Sequence, residues 1–324
     1  MRIRSFLLAT TLSLGLVASA SAQSTVTGTD LYSIDLESGK LSKIAELGDG
    51  ESVIGIALLT GINDSGPALA LTTDNELFEF NVNSPGALGD RLTISGLESG
   101  ENLKGIDYRP ATSDLWGISD QSRIYEIDLG SGEATSVGGV LDPALEDSNL
   151  GFDFNPTVDR IRVSVSSGQN LRLNPETGMV GVNPDTDMPT IDGNLAYAEG
   201  DENEGTDPTV VGAAYTNNQD GAQQTDLYVL DVATQSLATQ APPNAGTLNT
   251  VGPLGTDIVE WASFDIGPGG EGFVSNPNLT GMPSTGSGLA GTEANLPMLI
   301  GGGLLVAAVA AAGAGLNLRR EAAR

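Results

Sequence analysis

Three aspartates follow a glycine or serine by two positions in similar short segments of the chain. They are Asp107 in Gly-Ile-Asp, Asp153 in Gly-Phe-Asp and Asp265 in Ser-Phe-Asp, and two related segments carry Ala57 and Ala214 instead. If these segments are equivalent strands around one axis, the three carboxylates converge, and carboxylate oxygens suit Ca²⁺ as ligands. One interpretation is therefore a calcium site, although no cofactor is required. The other is that each carboxylate accepts hydrogen bonds from backbone amides of its own or the next repeat.

A second group of polar residues could bind an anion. Arg160 and Arg162 alternate along one short segment and Arg172 follows in the next, in a chain with only 14 Lys and Arg. On alternating strand positions such side chains point to one face, where guanidinium groups can clamp a carboxylate, sulfate or sugar acid. The alternative is that they pair with the many surrounding carboxylates. The candidate ligand-binding residues are Asn155, Arg160, Arg162, Asn170 and Arg172.

The elements that would hold these side chains are clearest between residues 105 and 138. Four runs rich in apolar, β-branched and aromatic residues, at 105–108, 115–119, 123–128 and 134–138, alternate with breaks rich in Pro, Gly, Ser and Asp. The runs favour strands and the breaks favour turns. This stretch therefore predicts a unit of four short strands.

The unit recurs along the chain. Its first marker is the segment start already described, at Gly55, Gly105, Gly151, Gly212 and Ser263. Its second marker is a strand ending in Asp or Asn before a turn, at 31–35, 77–81, 124–128, 171–174 and 227–231. The second markers recur every roughly 45 to 55 residues, which is close to the length of one four-stranded propeller blade.

The order of the two markers predicts how the ring closes. The chain begins with a second marker that lacks its first and ends with a first marker that lacks its second. We therefore predict an all-β protein, a β-propeller of five four-stranded blades. Its last blade would combine inner strands near 262–276 with outer strands near 29–47, which removes exposed sheet edges. A β-sandwich or a solenoid with similar strand spacing is the alternative.

Several longer motifs occur in an order that resembles one family. They lie at 105–112, 151–163, 168–178, 213–217 and 242–252. Together they are similar to an uncharacterised bacterial family, the domain of unknown function 4394, over roughly residues 28–275. The resemblance implies a secreted or surface propeller-like protein and carries no established activity.

Composition excludes several common chemistries. The 324 residues include neither Cys nor His, so a thiol nucleophile, a serine-histidine triad and a histidine metal ligand are all absent. Carboxylate chemistry, hard cations and structural roles remain. No catalytic residue is assigned, and a non-enzymatic protein is favoured over an enzyme.

The charge is strongly negative. The chain has 42 Asp and Glu and a net charge of −28, which disfavours nucleic acid and anionic lipid as partners. Because the acids are scattered, a generally acidic, solubilising surface is favoured over a dedicated cation-binding protein. The segment 185–207 holds eight acids and no base but does not match a calcium-binding EF-hand loop, so we expect a solvated insertion.

Both ends of the chain carry targeting patterns. Arg2 and Arg4 precede an apolar run and the small residues Ala20-Ser21-Ala22, which predicts a signal peptide over 1–22. The uncharged segment 296–318 is long enough for a transmembrane helix, and the arginines within 319–324 predict a basic cytoplasmic tail. The propeller domain would span 23–276 and a flexible stalk 277–295.

A short motif in the stalk resembles a sorting signal. The residues Met282, Pro283, Ser284, Thr285 and Gly286 are similar to the Leu-Pro-x-Thr-Gly signal that sortases cleave between Thr and Gly. Met replaces Leu, and a spacer at 287–295 separates the motif from the apolar segment. Cell-wall attachment and a retained membrane anchor both stay open.

Two functional classes follow from these patterns. The favoured one is an exported, surface-anchored, non-enzymatic binding or structural β-propeller that meets an unidentified extracellular ligand or protein. The alternative is a carboxylate-dependent polysaccharide hydrolase or lyase, in which Asp and Glu act as acid and base.

Overall fold

A computed structural model describes residues 25–48, 50–60, 66–181 and 190–280. These residues belong to one compact unit, Met1–Met282. The predicted signal peptide, the sorting-like motif, the predicted transmembrane segment and the basic tail lie outside the described residues. Within the described ranges, no helix has the length and apolar character needed to cross a membrane.

Short strands make up almost all of the regular secondary structure in the described chain. One short 3₁₀ helix, Pro243–Ala245, interrupts them. In chain order the strands are β1 (Thr25–Ile34), β2 (Leu41–Glu46), β3 (Val53–Leu58), β4 (Pro67–Thr72), β5 (Glu76–Asn81), β6 (Arg91–Thr93), β7 (Leu103–Tyr108), β8 (Leu115–Ser119), β9 (Ile124–Ile127), β10 (Ala134–Val137), β11 (Leu150–Asn155), β12 (Arg160–Val165), β13 (Asn170–Leu173), β14 (Ala196–Tyr197), β15 (Val210–Tyr215), β16 (Leu227–Asp231), β17 (Ser236–Gln240), β18 (Thr247–Pro253), β19 (Ser263–Ile266) and β20 (Gly272–Thr280).

The strands form five small sheets arranged as the blades of a propeller. Blade 1 is β3 to β6, blade 2 is β7 to β10, blade 3 is β11 to β13, blade 4 is β15 to β18 with β14, and blade 5 is β19, β20, β1 and β2. The first strand of each blade contacts the first strand of the next, from β3 through β7, β11, β15 and β19 back to β3. The five-bladed ring predicted from the repeats is confirmed.

Blade 5 closes the ring with strands from both ends of the described chain. β1 pairs antiparallel with β20 from Thr25 opposite Thr280 to Ile34 opposite Gly272, and β2 pairs with the other edge of β1. This is the closure that the marker order predicts. The last strand continues to Thr280, four residues beyond the predicted end of the propeller domain at 276.

The strand count departs from four in two blades. Among the described residues, blade 3 has three strands, and the part of the chain described between β13 and residue 181 adds an isolated bridge between Leu173 and Val180. Blade 4 has five, because β14 pairs parallel with β18 at its outer edge. The segment before β15 therefore leaves blade 3 and completes blade 4.

The second sequence marker corresponds to a turn held by an Asp or Asn side chain. Asp35 Oδ1 accepts the Glu37 amide at 2.9 Å, and Asp128 Oδ1 accepts the Ser131 amide at 2.7 Å. In four blades the marker lies on the third strand, but in blade 4 it lies on β16, the second. The same turn chemistry serves either hairpin, so the marker identifies a turn and not a strand position.

The glycines of the first marker allow the inner strands to approach each other. A Cβ on Gly151 would lie 2.2 Å from the backbone nitrogen of Ala213 in the next blade, and one on Gly212 would lie 2.7 Å from Phe264 Cβ. Both distances are far inside van der Waals contact, so a larger residue would push the blades apart. Gly is therefore required at these two positions.

Apolar side chains fill the spaces between neighbouring sheets. Leu31 of blade 5 packs with Ile56 and Phe78 of blade 1, and Trp116 of blade 2 packs with Phe154 of blade 3. Edge-to-face geometry in the Trp116–Phe154 pair, with ring centroids 5.9 Å apart, adds to this packing. The core is thus divided among the blade junctions, which leaves the axis to the inner-strand residues.

Candidate functional site

The three aspartates converge at the axis of the propeller. Asp107 lies on β7, Asp153 on β11 and Asp265 on β19, at equivalent positions of the inner strands. One carboxylate oxygen from each lies within 4.8 Å of the others, and the side chains are 1–2% exposed. The convergence predicted from the repeat is present, and we call these residues the axial triad.

Each carboxylate of the axial triad connects its own blade to the next one. Asp107 Oδ2 accepts the Phe154 amide at 2.8 Å, Asp153 Oδ1 accepts the Tyr215 amide at 3.1 Å, and Asp265 Oδ2 accepts the Leu58 amide at 2.5 Å. Asp107 and Asp265 also accept the amide of the residue that follows them. These bonds satisfy inner-strand amides that have no sheet partner on the axial side.

Burial is the main cause of the pKa shifts in the axial triad. It raises the pKa of Asp107 and of Asp153 well above the usual range, and the neighbouring carboxylates raise them further. Burial also raises the pKa of Asp265 to about 6, although the amides of Leu58 and Ile266 oppose the shift. Chemically, such a cluster holds either shared protons or a hard cation. Calcium binding by these residues stays a prediction.

Four of the five candidate ligand-binding residues meet in one cavity. Asn155, Arg160, Arg162 and Arg172 line a space of about 260 Å³ between blades 3 and 4. Cross-strand pairing explains the convergence: Arg160 lies opposite Asn155, and Arg162 lies opposite Arg172. Tyr215, Pro242, Pro243 and Asn244 complete the walls. We call this space the arginine cavity.

Arg162 is buried and tightly held. Its Nη1 donates to Asn170 Oδ1 at 2.7 Å and to Asp192 Oδ2 at 2.8 Å, while its Nη2 donates to Asn244 Oδ1 at 2.7 Å. Its Nε–H has no hydrogen-bond partner among the residues that the structure describes. A side chain 2% exposed with this many contacts is fixed in place, which orients the floor of the cavity.

The other two arginines are less constrained. Arg172 donates to Asp192 Oδ1 at 3.4 Å and to Thr190 Oγ1 at 3.3 Å. Arg160 donates only to backbone carbonyls, of Asp159 at 2.8 Å and Val158 at 3.5 Å, and pairs with no carboxylate that the structure describes. Among the described residues, Asp192 is therefore the only carboxylate that pairs with any of the three guanidinium groups, and it pairs with those of Arg162 and Arg172.

Asn170 and Asn155 have positioning contacts of their own. Asn170 does not line the cavity; its Nδ2 donates to the carbonyls of Gly193 and Pro243 at 3.0 Å each, while its Oδ1 also accepts from Gln240. Asn155 Oδ1 accepts the Thr157 amide and hydroxyl, which shapes the turn before Arg160. Asn170 therefore holds Arg162 from the side that faces away from the cavity, and Asn155 supports the turn at the cavity rim.

Sequence reasoning missed three contributors to this site. Asp192 belongs to the acidic segment expected to be solvated, yet it is 8% exposed and bonded to both Arg162 and Arg172. The apolar walls, Tyr215 and Pro242, come from blade 4 and lie far from the arginines in the sequence. The sequence offered one signal, which was Asp192 itself. A carboxylate that is buried in a loop requires a nearby cation.

Comparison with known proteins identifies one family. The family model described as a domain of unknown function (DUF4394) matches residues 76–286, which is more than half of the chain. This range contains blades 2 to 4, all three strands that carry the axial aspartates and every residue of the arginine cavity. No curated protein matches the chain.

Proposed function

The chain belongs to the DUF4394 family, a domain of unknown function, and from this premise we propose an exported, surface-anchored, non-enzymatic binding propeller that holds a small organic anion in the arginine cavity. The family and the propeller fold are compatible with a binding or a structural role. Propellers commonly present binding residues at blade junctions and loops, on a rigid scaffold.

The observation that carries the proposal is the charge imbalance of the arginine cavity. Arg160, Arg162 and Arg172 bring three positive charges to the cavity, where Asp192 is the one carboxylate paired with them in the part of the chain that the structure describes, and the whole chain has a net charge of −28. Elsewhere carboxylates are abundant enough to pair most cations. An excess of guanidinium groups around a cavity favours an anionic ligand.

The walls indicate what else the ligand carries. Tyr215, Pro242 and Pro243 give the cavity an apolar side, whereas Asn155 and Asn244 offer amides. A cyclic sugar acid combines a carboxylate with hydroxyls and an apolar ring face, so it matches all three kinds of wall. A sugar acid is therefore the ligand class we favour.

Export and anchoring rest on the sequence patterns at the two ends. Arg2, Arg4 and the following apolar run support a signal peptide, and the segment 296–318 supports a membrane anchor, with sortase attachment as the other route. Mass spectrometry of the protein from the exported fraction checks this: a mature chain beginning at Gln23 is expected, and an intact Met1 contradicts export.

The hydrolase alternative receives no support from the axial carboxylates. Asp107, Asp153 and Asp265 are 1–2% exposed and already accept backbone amides. A polysaccharide cannot reach carboxylates buried in this way. We therefore retain the binding function alone.

Arg160→Met is the variant that tests the proposal. Arg160 is partly exposed and bonds only backbone carbonyls, so its loss should leave the melting temperature unchanged. Binding of glucuronate or galacturonate to the full chain, measured by calorimetry, should weaken at least about tenfold, because a charge-assisted hydrogen bond contributes roughly 1.5 to 3 kcal/mol. Glucose and galactose should bind much more weakly than their acids.

Lys40→Met is the matched control. Lys40 is exposed, also lacks a carboxylate partner among the described residues, and lies outside the cavity. The Lys40→Met variant removes one positive charge, as Arg160→Met does, and should leave uronate binding unchanged. Equal weakening by both variants would indicate nonspecific attraction, and absence of binding by both uronates would overturn the proposed ligand class.

A further inference from the structure

A second cation without a carboxylate partner among the described residues, Lys104, lies at the end of the inner strands opposite to the arginine cavity. Of the nine basic residues between 25 and 280, six form ion pairs with carboxylates. Within the described ranges, Lys40, Arg160 and Lys104 do not. Lys40 is exposed and Arg160 lines the arginine cavity, but Lys104 is half-buried near the start of β7. In so acidic a chain, an unpaired and partly desolvated ammonium needs an explanation.

Lys104 lines a cavity to which all five blades contribute. The space of about 120 Å³ is bounded by Ile54, Lys104, Leu150 and Val211 near the amino-terminal ends of four inner strands, and by Glu260 and Trp261 just before the fifth. Beneath it, the space between the inner strands narrows to about 20 Å³ around Gly105 and Gly212. The outer space therefore narrows sharply towards the inner strands, and we call it the channel-mouth cavity.

The channel-mouth cavity contains two opposite charges that do not neutralise each other. Lys104 makes no hydrogen bond or ion pair with any side chain the structure describes, and Glu260 has only a 3.4 Å hydrogen bond from Asn149 Nδ2. Ion pairs form readily elsewhere in the protein, as between Lys43 and Asp30 at 2.6 Å. A cation and an anion that line one cavity without forming an ion pair with each other suit a ligand that carries both charges.

The remaining walls of the cavity indicate which other groups the ligand carries and how large it is. Ile54, Leu150 and Val211 form an apolar floor, and the Trp261 indole is 39% exposed at the rim. An indole face attracts an ammonium group as well as apolar surface. At about 120 Å³, this cavity has less than half the volume of the arginine cavity, which favours a ligand smaller than a sugar.

We propose that the channel-mouth cavity binds a small zwitterion, a free α-amino acid with a small apolar side chain. Lys104 holds its carboxylate, Glu260 holds its ammonium, and the side chain lies on the apolar floor beside Trp261. This site is distinct from the arginine cavity and does not depend on it.

Intrinsic fluorescence of the full chain tests this inference. The protein has two tryptophans, and Trp116 is 3% exposed, so a ligand at the channel mouth changes mainly the emission of Trp261. Titration with L-alanine should saturate. Acetate and ethylammonium, which carry one charge each, should bind at least about tenfold more weakly because one of the two charged partners stays unsatisfied. Calorimetry on Trp261→Phe should retain binding without the fluorescence signal.

Variants separate the two charged partners. Lys104→Met and Glu260→Gln should each weaken alanine binding at least about tenfold, and Lys40→Met should not. Glu260 is exposed, so its variant keeps the test valid should Lys104→Met fail to fold. The inference is overturned by alanine that does not bind in either assay, by acetate that binds as tightly as alanine, or by a folded Glu260→Gln protein with unchanged affinity.

Discussion

The buried carboxylates of the axial triad have raised pKa values and therefore respond to pH. Asp107, Asp153 and Asp265 face one another at the axis, and the only arginine in register with them, Arg162 opposite Asp153, directs its guanidinium to Asp192. With no cation among these contacts to offset burial, the protonated forms are favoured. The axial triad therefore links stability to pH.

Lowering the pH from about 7.5 to about 5 should raise the melting temperature in the presence of chelator. A carboxyl whose native pKa exceeds its unfolded value binds its proton more tightly when folded, so stability falls as pH rises from the unfolded pKa through the native one. For Asp265 this window runs from 3.8 to about 6. Since one pKa unit is about 1.4 kcal/mol, the expected change is a few kcal/mol, or roughly 5 to 10 °C.

Asp153→Asn should reduce this pH dependence, as measured by calorimetric melts at both pH values. The amide oxygen can still accept the Tyr215 amide, which is the one hydrogen bond of Asp153 in the structure. Asp220→Asn, an exposed aspartate, is the control and should melt like the parent. A calcium-dependent rise in melting temperature at about pH 7.5 that is lost in Asp153→Asn would instead identify the triad as cation ligands.

Among the elements, β1 carries the closure of the ring. It pairs with β20 along one edge and β2 along the other, and Leu31 packs against Val53 and Ile56 of blade 1. Thr29 Oγ1 also accepts the Val53 amide at 3.0 Å and donates to the Glu51 carbonyl at 2.7 Å. One strand therefore supports two blades.

Deleting residues 23–48 should abolish cooperative unfolding of the whole propeller. The deletion removes β1 and β2, exposes the edge of β20 and opens the core between blades 5 and 1. Truncation after residue 286 is the control, because every described strand is kept. Denaturant melts followed by circular dichroism check this, and a deletion variant that lost only a fifth of its signal would indicate independent blades, as in a solenoid.

A second element, the segment that contains β14, explains why the arginine cavity is formed at blades 3 and 4. Leu195 and Tyr197 are buried with the core of blade 4, while Asp192 lies under Arg162 and Arg172 of blade 3. Asp201 accepts the amide and hydroxyl of Thr250 at 2.7 Å each. The departure from regular four-stranded blades thus positions the carboxylate that fixes the arginines.

Across the whole molecule, charge repulsion opposes folding. The net charge of −28 includes 42 acids, and at physiological salt the screening length is about 8 Å, so neighbouring surface carboxylates repel one another. Ion pairs such as Arg91 with Glu51 and Glu76 offset this only locally. We expect so acidic a surface to favour solubility and to lower stability at low salt.

Raising NaCl from about 0.05 M to about 1 M should increase the melting temperature by roughly 5 °C, because the screening length falls to about 3 Å. Calorimetric melts with NaCl and with an equal concentration of a neutral osmolyte separate screening from general solvent effects. A melting temperature that ignores salt would contradict a stability limited by surface repulsion.

Local sequence determined the repeated unit, its turns and the number of blades. Gly-x-Asp starts and Asp- or Asn-capped turns are short-range features, so the five blades and the closure of blade 5 by both ends were predictable. The axial meeting of Asp107, Asp153 and Asp265 followed from equivalence of the repeats. The strands at 105–138 agree with β7 to β10 within two residues at each end.

Only the tertiary structure decided which departures from the repeat form the cavities. The pairing of β14 with β18, the burial of Asp192 and the approach of Pro242 to Arg160 join residues far apart in sequence, and no local pattern encodes such contacts. The same holds for Lys104 and Glu260, whose separation depends on how five blades meet around one axis. Local turn chemistry specifies a blade, whereas the chemistry of its cavities depends on long-range packing between blades.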